Sequence, residues 1–184
     1  AGETVERIST YTVLWAAGVQ ASPFGRVLAE TTGAALDRSG RVIVGPDLAV
    51  PGHPEILVIG DLAHFAHGVE SPLPGVAQVA MQQGAYAARL IQDRLRGQTP
   101  PPFRYRDYGT MATIGRNTAV AEVFGFRFAG HLAWLAWLCI HLVQLVQFEN
   151  RLLVFAQWAW SYVTFNRAAR LITNLPRQAG QGDR

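Results

Sequence analysis

Short apolar runs separated by Gly, Pro and Asp dominate the first hundred residues. The clearest periodic segment is Val76 to Arg96, where Val76, Ala80, Ala87, Leu90, Ile91 and Leu95 recur at helical spacing. Gly97 follows as the expected helix stop. The run Ile56–Ile59 reads as a fully buried strand ending in Gly60-Asp61, and Arg41–Val44 as a second strand after the turn Asp37-Arg38-Ser39-Gly40. Thr4–Ile8 and Tyr11–Trp15 read as two short strands, and Pro23 to Thr32 as a short helix. Pro46 and Pro51-Gly52-His53-Pro54 punctuate the approach to the Ile56–Ile59 strand. Beyond the stiff connector Pro100-Pro101-Pro102, the runs Met111–Ile114, Thr118–Val123 and Phe126–Phe128 predict a small sheet.

The pattern then changes. From Phe128 to Phe148 there is no Asp, Glu, Lys or Arg. That length is close to the roughly twenty apolar residues that span a bilayer. Gln144, Gln147, His131 and His141 weaken the case for a span, and the next apolar stretch, Leu152–Phe165, is too short to return as a helix. The preferred expectation is two helices lying at a membrane surface, with Trp134, Trp137, Trp158 and Trp160 at interfacial depth. A buried helical hairpin or a dimer interface is the alternative, and a single span is a third.

Composition narrows the function classes. Of the 184 residues, 49% are hydrophobic, and the net charge is +3. Every basic residue apart from histidine is arginine, and the charge is too small and scattered to argue for nucleic acid. Arginines beside apolar helices suit an anionic membrane surface better. The single cysteine, Cys139, has no partner in the sequence, which excludes a dithiol mechanism. The five histidines show no metal spacing; His64 and His67 lack the further ligands a metal would need, so no metal site is expected. The start Ala1-Gly2-Glu3-Thr4 has no signal-peptide pattern.

The chemistry gathers where the strand ends. Gly60 lets backbone approach a ligand, and Asp61 at the carboxyl end of a strand can accept hydrogen bonds from sugar or ribityl hydroxyls. After a Gly- and Pro-rich loop, Gly75-Val76-Ala77-Gln78 opens the long helix with small residues and unpaired N–H groups, which favour negative charge. Taken alone, Gly60-Asp61 also reads as a buried strand ending in a turn that Asp61 caps.

These segments together resemble the type II NADH dehydrogenases, single-chain membrane-associated flavoenzymes. The resemblance rests on Thr12-Val13-Leu14-Trp15-Ala16-Ala17-Gly18-Val19, Ile59-Gly60-Asp61, Ala77-Gln78-Val79-Ala80-Met81-Gln82-Gln83-Gly84 and Tyr105 to Arg116, with the aromatic tail behind them. It implies an α/β fold: the C-terminal part of a two-dinucleotide-binding, Rossmann-like flavoprotein, followed by a small β-sheet and a helical membrane-associated tail. The implied organisation is the end of an NADH-binding domain (1–20), the returning half of an FAD-binding domain (21–98), a small β segment (99–128) and the tail (129–184). The implied activity is transfer of electrons from NADH through FAD to a membrane quinone. Gly60, Asp61, Ala77 and Gln78 would hold the cofactor, and Gln78, Met81 and Gln82 would line the quinone entrance. No side chain is required as a catalytic group, because the hydride chemistry is the cofactor's.

No GxGxxG phosphate loop occurs. The resemblance therefore implies a missing N-terminal part of the same enzyme, and inactivity of this piece in isolation. Many family members have a lysine where Tyr108 stands before Gly109, which weakens the carry-over of quinone handling. A peripheral location on the cytoplasmic side of the cell membrane and a homodimer are further expectations. Two other readings compete: a non-catalytic membrane-surface interaction module derived from the fold, and a flavoprotein reductase with another acceptor. The intact Gly60-Asp61 and Ala77-Gln78 oppose the first, and the lone Cys139 and the tail oppose the second.

Overall fold

The computed structural model describes residues 9–12, 18–145 and 147–164. The chain divides into two compact units, one ending at Arg106 and one opening at Asp107. The expected strand Thr4–Ile8 and most of Tyr11–Trp15 lie outside the described residues.

The first unit mixes helices with two small sheets. Helix α1 (Phe24–Thr32) is closed by Gly33, whose left-handed φ of 74° lets its N–H bond Ala29 O. Strand β1 (Val42–Ile43) pairs in parallel with β4 (Ala63–His64), in the register Val42↔Ala63. Between them lies an antiparallel hairpin of β2 (Ala49–Val50) and β3 (His53–Leu57). The expected Ile56–Ile59 strand is thus shifted: the ladder stops at Leu57. Its partner strand is only two residues long, and Leu48 before it turns left-handed at φ 64°. Val58 still donates to Leu48 O at 3.0 Å, and Ile59 continues in extended backbone to Gly60.

Helix α2 (Ala77–Leu95) matches the apolar periodicity. It ends in a double turn bond, with Gly97 N–H on Arg94 O and Gln98 N–H on Asp93 O. Its buried face of Val79, Tyr86 and Leu90 packs into a core with Val42, Val44, Leu48, Val50, Val58 and Phe65. The proline-rich stretch joins this core. Phe103 sits edge-on to both Phe65 and Tyr86, and the Tyr86 hydroxyl donates to Pro101 O at 2.9 Å.

The second unit opens with an antiparallel meander of β5 (Thr110–Gly115), β6 (Thr118–Val123) and β7 (Phe126–Gly130). Met111, Ala121 and Phe128 stand in one row across the sheet. Alternation puts Ala119 and Ala121 on one face, where Ala133 of α3 (His131–Gln144) packs onto them. Such small side chains allow a helix to lie close to a sheet. A second helix, α4 (Phe148–Thr164), pairs with α3 through stacked Trp137 and Trp158 and through Trp134 against Tyr162.

The apolar stretch from Phe128 is therefore divided: its first residues finish β7, and only fourteen form α3. At 1.5 Å per residue that helix is about 21 Å long, short of the roughly 30 Å hydrocarbon layer. Among the described residues no helix is long and apolar enough to cross a membrane.

Candidate functional site

The turn after β3 presents Asp61. Gly60 adopts φ 70°, and Gly60–Leu62 forms one 3-10 turn that exposes the Asp61 side chain. A Cβ added to Gly60 would lie 3.5 Å from Ala80 Cβ, so this turn rests directly on α2. Gly75, just before the helix, lies against the carboxylate: a Cβ there would come within 3.2 Å of Asp61 Oδ1. The structure thus brings Gly60, Asp61 and the start of α2 together.

No side chain caps the N-terminus of α2. Val76, Ala77 and Met81 are exposed there, and Gln78 is partly buried. Gln82 is held differently. Its Nε2 donates to Arg106 O at 2.8 Å, while its Oε1 accepts the Arg106 N–H at 3.0 Å. Both ends of this amide are engaged with protein backbone. Gln83, which the sequence marks only as part of the stretch Ala77 to Gly84, is buried and accepts the Gly60 N–H at 2.6 Å. Its signal in the sequence was a polar residue on the buried stripe of α2, four residues after Val79.

A second polar cluster lies behind Asp61. Asp37 Oδ2 is 2.7 Å from Arg41 Nε and 2.9 Å from His64 Nδ1, while its Oδ1 accepts the backbone N–H groups of Ser39 and Arg41. Burial opposes ionisation of this carboxyl. The hydrogen bonds from His64, Arg41 and Ser39 outweigh burial and hold it well below the usual carboxylate range. Arg41 Nη2 also approaches His64 Nδ1 at 3.5 Å, but two donors cannot share a proton there. The shorter Asp37 contact decides the tautomer, with the proton on Nδ1. Arg41 Nη1 donates to Leu73 O, tying this cluster to the loop that leads to Gly75. In the sequence Asp37 reads as part of a turn and His64 lacks the ligands of a metal site; their meeting depends on the parallel β1–β4 pairing.

Ser22, Ser39, Arg41, Asp61, Leu62 and Gly75 line a cleft of about 660 Å³. Two hydroxyls, a guanidinium and an exposed carboxylate suit a ligand carrying hydroxyl and phosphate groups. Ala16 and Ala17, part of the stretch that carries the resemblance, lie outside the described residues.

In the second unit Tyr108 is exposed. Gly109 has φ 100°, and a Cβ there would clash with the Glu122 carbonyl, so only glycine lets β5 start this close to β6. Cys139 is exposed on α3, and no group able to hold a metal ion is found among the described residues.

The pyridine nucleotide-disulphide oxidoreductase family matches residues 1–84, and the NDH2 C-terminal domain matches residues 108–167. The type II NADH:quinone oxidoreductase NdhA of Mycobacterium tuberculosis is 45% identical across 96% of this chain and 40% of its own length. The Ndh protein of the same organism is 42% identical across 93% of this chain and 36% of its length. The type II NADH:quinone oxidoreductase of Staphylococcus haemolyticus is 39% identical across 70% of this chain and 31% of its length. The chain therefore spans less than half the length of these relatives. With one family matched across the Gly60-Asp61 turn and the other across the sheet and tail, the chain belongs to the type II NADH:quinone oxidoreductase family and carries its C-terminal domain.

Proposed function

We propose that this chain forms part of an FAD-dependent enzyme that passes electrons from NADH to a membrane quinone. The observation that carries the reading is the Gly60–Asp61 turn seated against the open start of α2. An exposed carboxylate there is placed to accept hydrogen bonds from a polyhydroxyl chain, and Gly75 leaves the space beside it that a Cβ would fill. The residues present fit the ribityl–pyrophosphate part of FAD: Gly60 and Asp61 would hold it, with Ala77 and Gln78 beside the ring. Bound FAD supplies the hydride and electron chemistry. The chain supplies orientation, the helix dipole and an apolar approach.

Met81 and Gln78 are the residues we assign to the quinone entrance. Gln82 belongs to the same turn of helix, with its amide turned to the Arg106 backbone. A preceding segment with the phosphate loops would complete the cofactor site. The α3–α4 pair would seat on the cytoplasmic membrane surface, which the exposed Val143, Phe148, Leu152, Trp160 and Val163 support.

The test is Asp61→Ala in the protein that includes the phosphate-loop segment. Hydrogen bonds to a charged acceptor contribute about 1.5–3 kcal/mol. FAD retention should weaken roughly ten- to hundred-fold by flavin-fluorescence titration. Unchanged affinity would mean that Asp61 is only a turn residue.

A further inference from the structure

Among the described residues, Gln83 is the only polar or charged residue in the fully buried class. A buried amide is costly unless it is hydrogen-bonded, and an apolar side chain of the same shape would serve the core as well. Gln83 therefore calls for a reason other than packing. Its Oε1 accepts the N–H of Gly60 at 2.6 Å. Gly60 is in left-handed backbone, has a helix residue, Ala80, beneath it, and begins the 3-10 turn that carries Asp61. Gln83 and Ala80 are three residues apart on α2, so one helical face both supports and tethers the turn.

From this we propose that Gln83 is a positioning residue: its buried amide fixes the Gly60 backbone and so sets where the Asp61 carboxylate stands toward the cofactor. The ladder of β3 ends at Leu57 and β4 begins at Ala63, so no strand pairing reaches Gly60–Leu62 itself. The Gln83 bond gives the Gly60 N–H the partner that a ladder would otherwise supply. The inference rests on the assignment of Asp61 to FAD.

The test compares Gln83→Met, which keeps length and removes the acceptor, with Gln83→Glu, which keeps an acceptor oxygen. Two readouts are needed. The first is hydrogen exchange of the Gly60 amide, followed by NMR on the chain itself together with its thermal unfolding midpoint. The second is FAD affinity in the protein that includes the phosphate-loop segment, with Asp61→Ala as comparator. In Gln83→Met, exchange at Gly60 should rise at least ten-fold while the rest of α2 stays protected. FAD should bind at least ten-fold more weakly, and Gln83→Glu should recover most of both. Three results overturn the proposal: unchanged exchange at Gly60, exchange raised evenly through β1, β3 and α2, or FAD affinity unchanged in Gln83→Met but lowered in Asp61→Ala. If Asp61→Ala also leaves affinity unchanged, the cofactor assignment itself fails, and the proposal with it.

Discussion

The side chain of Gln82 and the backbone of Arg106 are paired at both ends, one amide edge meeting one peptide unit at 2.8 and 3.0 Å. A side chain thereby substitutes for a strand neighbour, because residues 103–109 have no ladder of their own. Gln82→Ala removes both bonds. At about 0.5–1.5 kcal/mol each, the local cost should be roughly 1–3 kcal/mol. The expected outcome is faster hydrogen exchange at the Arg106 amide and faster tryptic cleavage after Arg106. Unchanged exchange there would show the pairing to be dispensable.

Asp37 gives the first unit an acid-sensitive joint. Its folded carboxyl is held below the ordinary value of about 3.9. A depressed carboxylate adds stability that is complete above the unfolded value and fades as the pH falls toward the folded one. Asp37→Asn should therefore lower stability at pH 7, by about 2 kcal/mol. The difference from the parent chain should shrink below about pH 4. Urea titrations across pH 2–7 would reveal it; a constant difference across that range would contradict the assignment.

Phe124 occupies a position that suits it poorly. It and Gly125 form the two-residue loop between β6 and β7, with φ values of 51° and 82°. Left-handed backbone at both positions favours Asn-Gly, and a bulky residue there costs on the order of 1–2 kcal/mol. The Phe124 ring is exposed and gains little from packing. Phe124→Asn should raise the unfolding midpoint of the second unit by a few degrees. A fall in the midpoint by calorimetry would show that the ring is held by contacts that outweigh the strain.

The tail should bind vesicles containing anionic lipid and should not cross them. Deleting residues 129–184 should move the protein to the soluble fraction, although Ala133 also covers Ala119 and Ala121. The gentler variants are therefore Leu152→Asp and Val163→Asp, both at exposed sites, which should weaken vesicle binding while keeping the fold. In sealed vesicles, a cysteine placed at Asn150 in a Cys139→Ser background should react only from the side of addition. Labelling from the far side would mean that the first helix spans.

Elements with local signals were legible in the sequence. Helix α2, its glycine stop and the three strands of the meander follow from periodicity and turn residues, and they fall within a few residues of expectation. What depends on distant pairing was not legible. The strand at Ile56–Ile59 shifted because its neighbour proved to be two residues long, which no local pattern encodes. Asp37 and His64 lie far apart in sequence and meet through the β1–β4 register. The turn at Gly60 and Asp61 could be read directly, since a glycine and a carboxylate after an apolar run mark a strand end. Gln82 and Gln83 look alike in a list of letters. One helical step of about 100° sends one amide to the Arg106 backbone and the other into the core.

Val42 and Ala63 pair in parallel across the whole β2–β3 hairpin, which gives the first unit an order of assembly. Closing such a loop in an unstructured chain costs entropy that grows with its length. A hairpin forms within about 1–10 μs and draws the two ends inward before they meet. We therefore expect the β2–β3 hairpin to form first and the β1–β4 ladder to close late. Substitutions such as Val50→Ala would then slow folding, while Ala63→Gly would mainly speed unfolding. Stopped-flow kinetics showing the reverse partition would sink this order. On this account the backbone that carries the Asp61 carboxylate is among the last parts of the unit to settle, and the hairpin acts as its scaffold during folding.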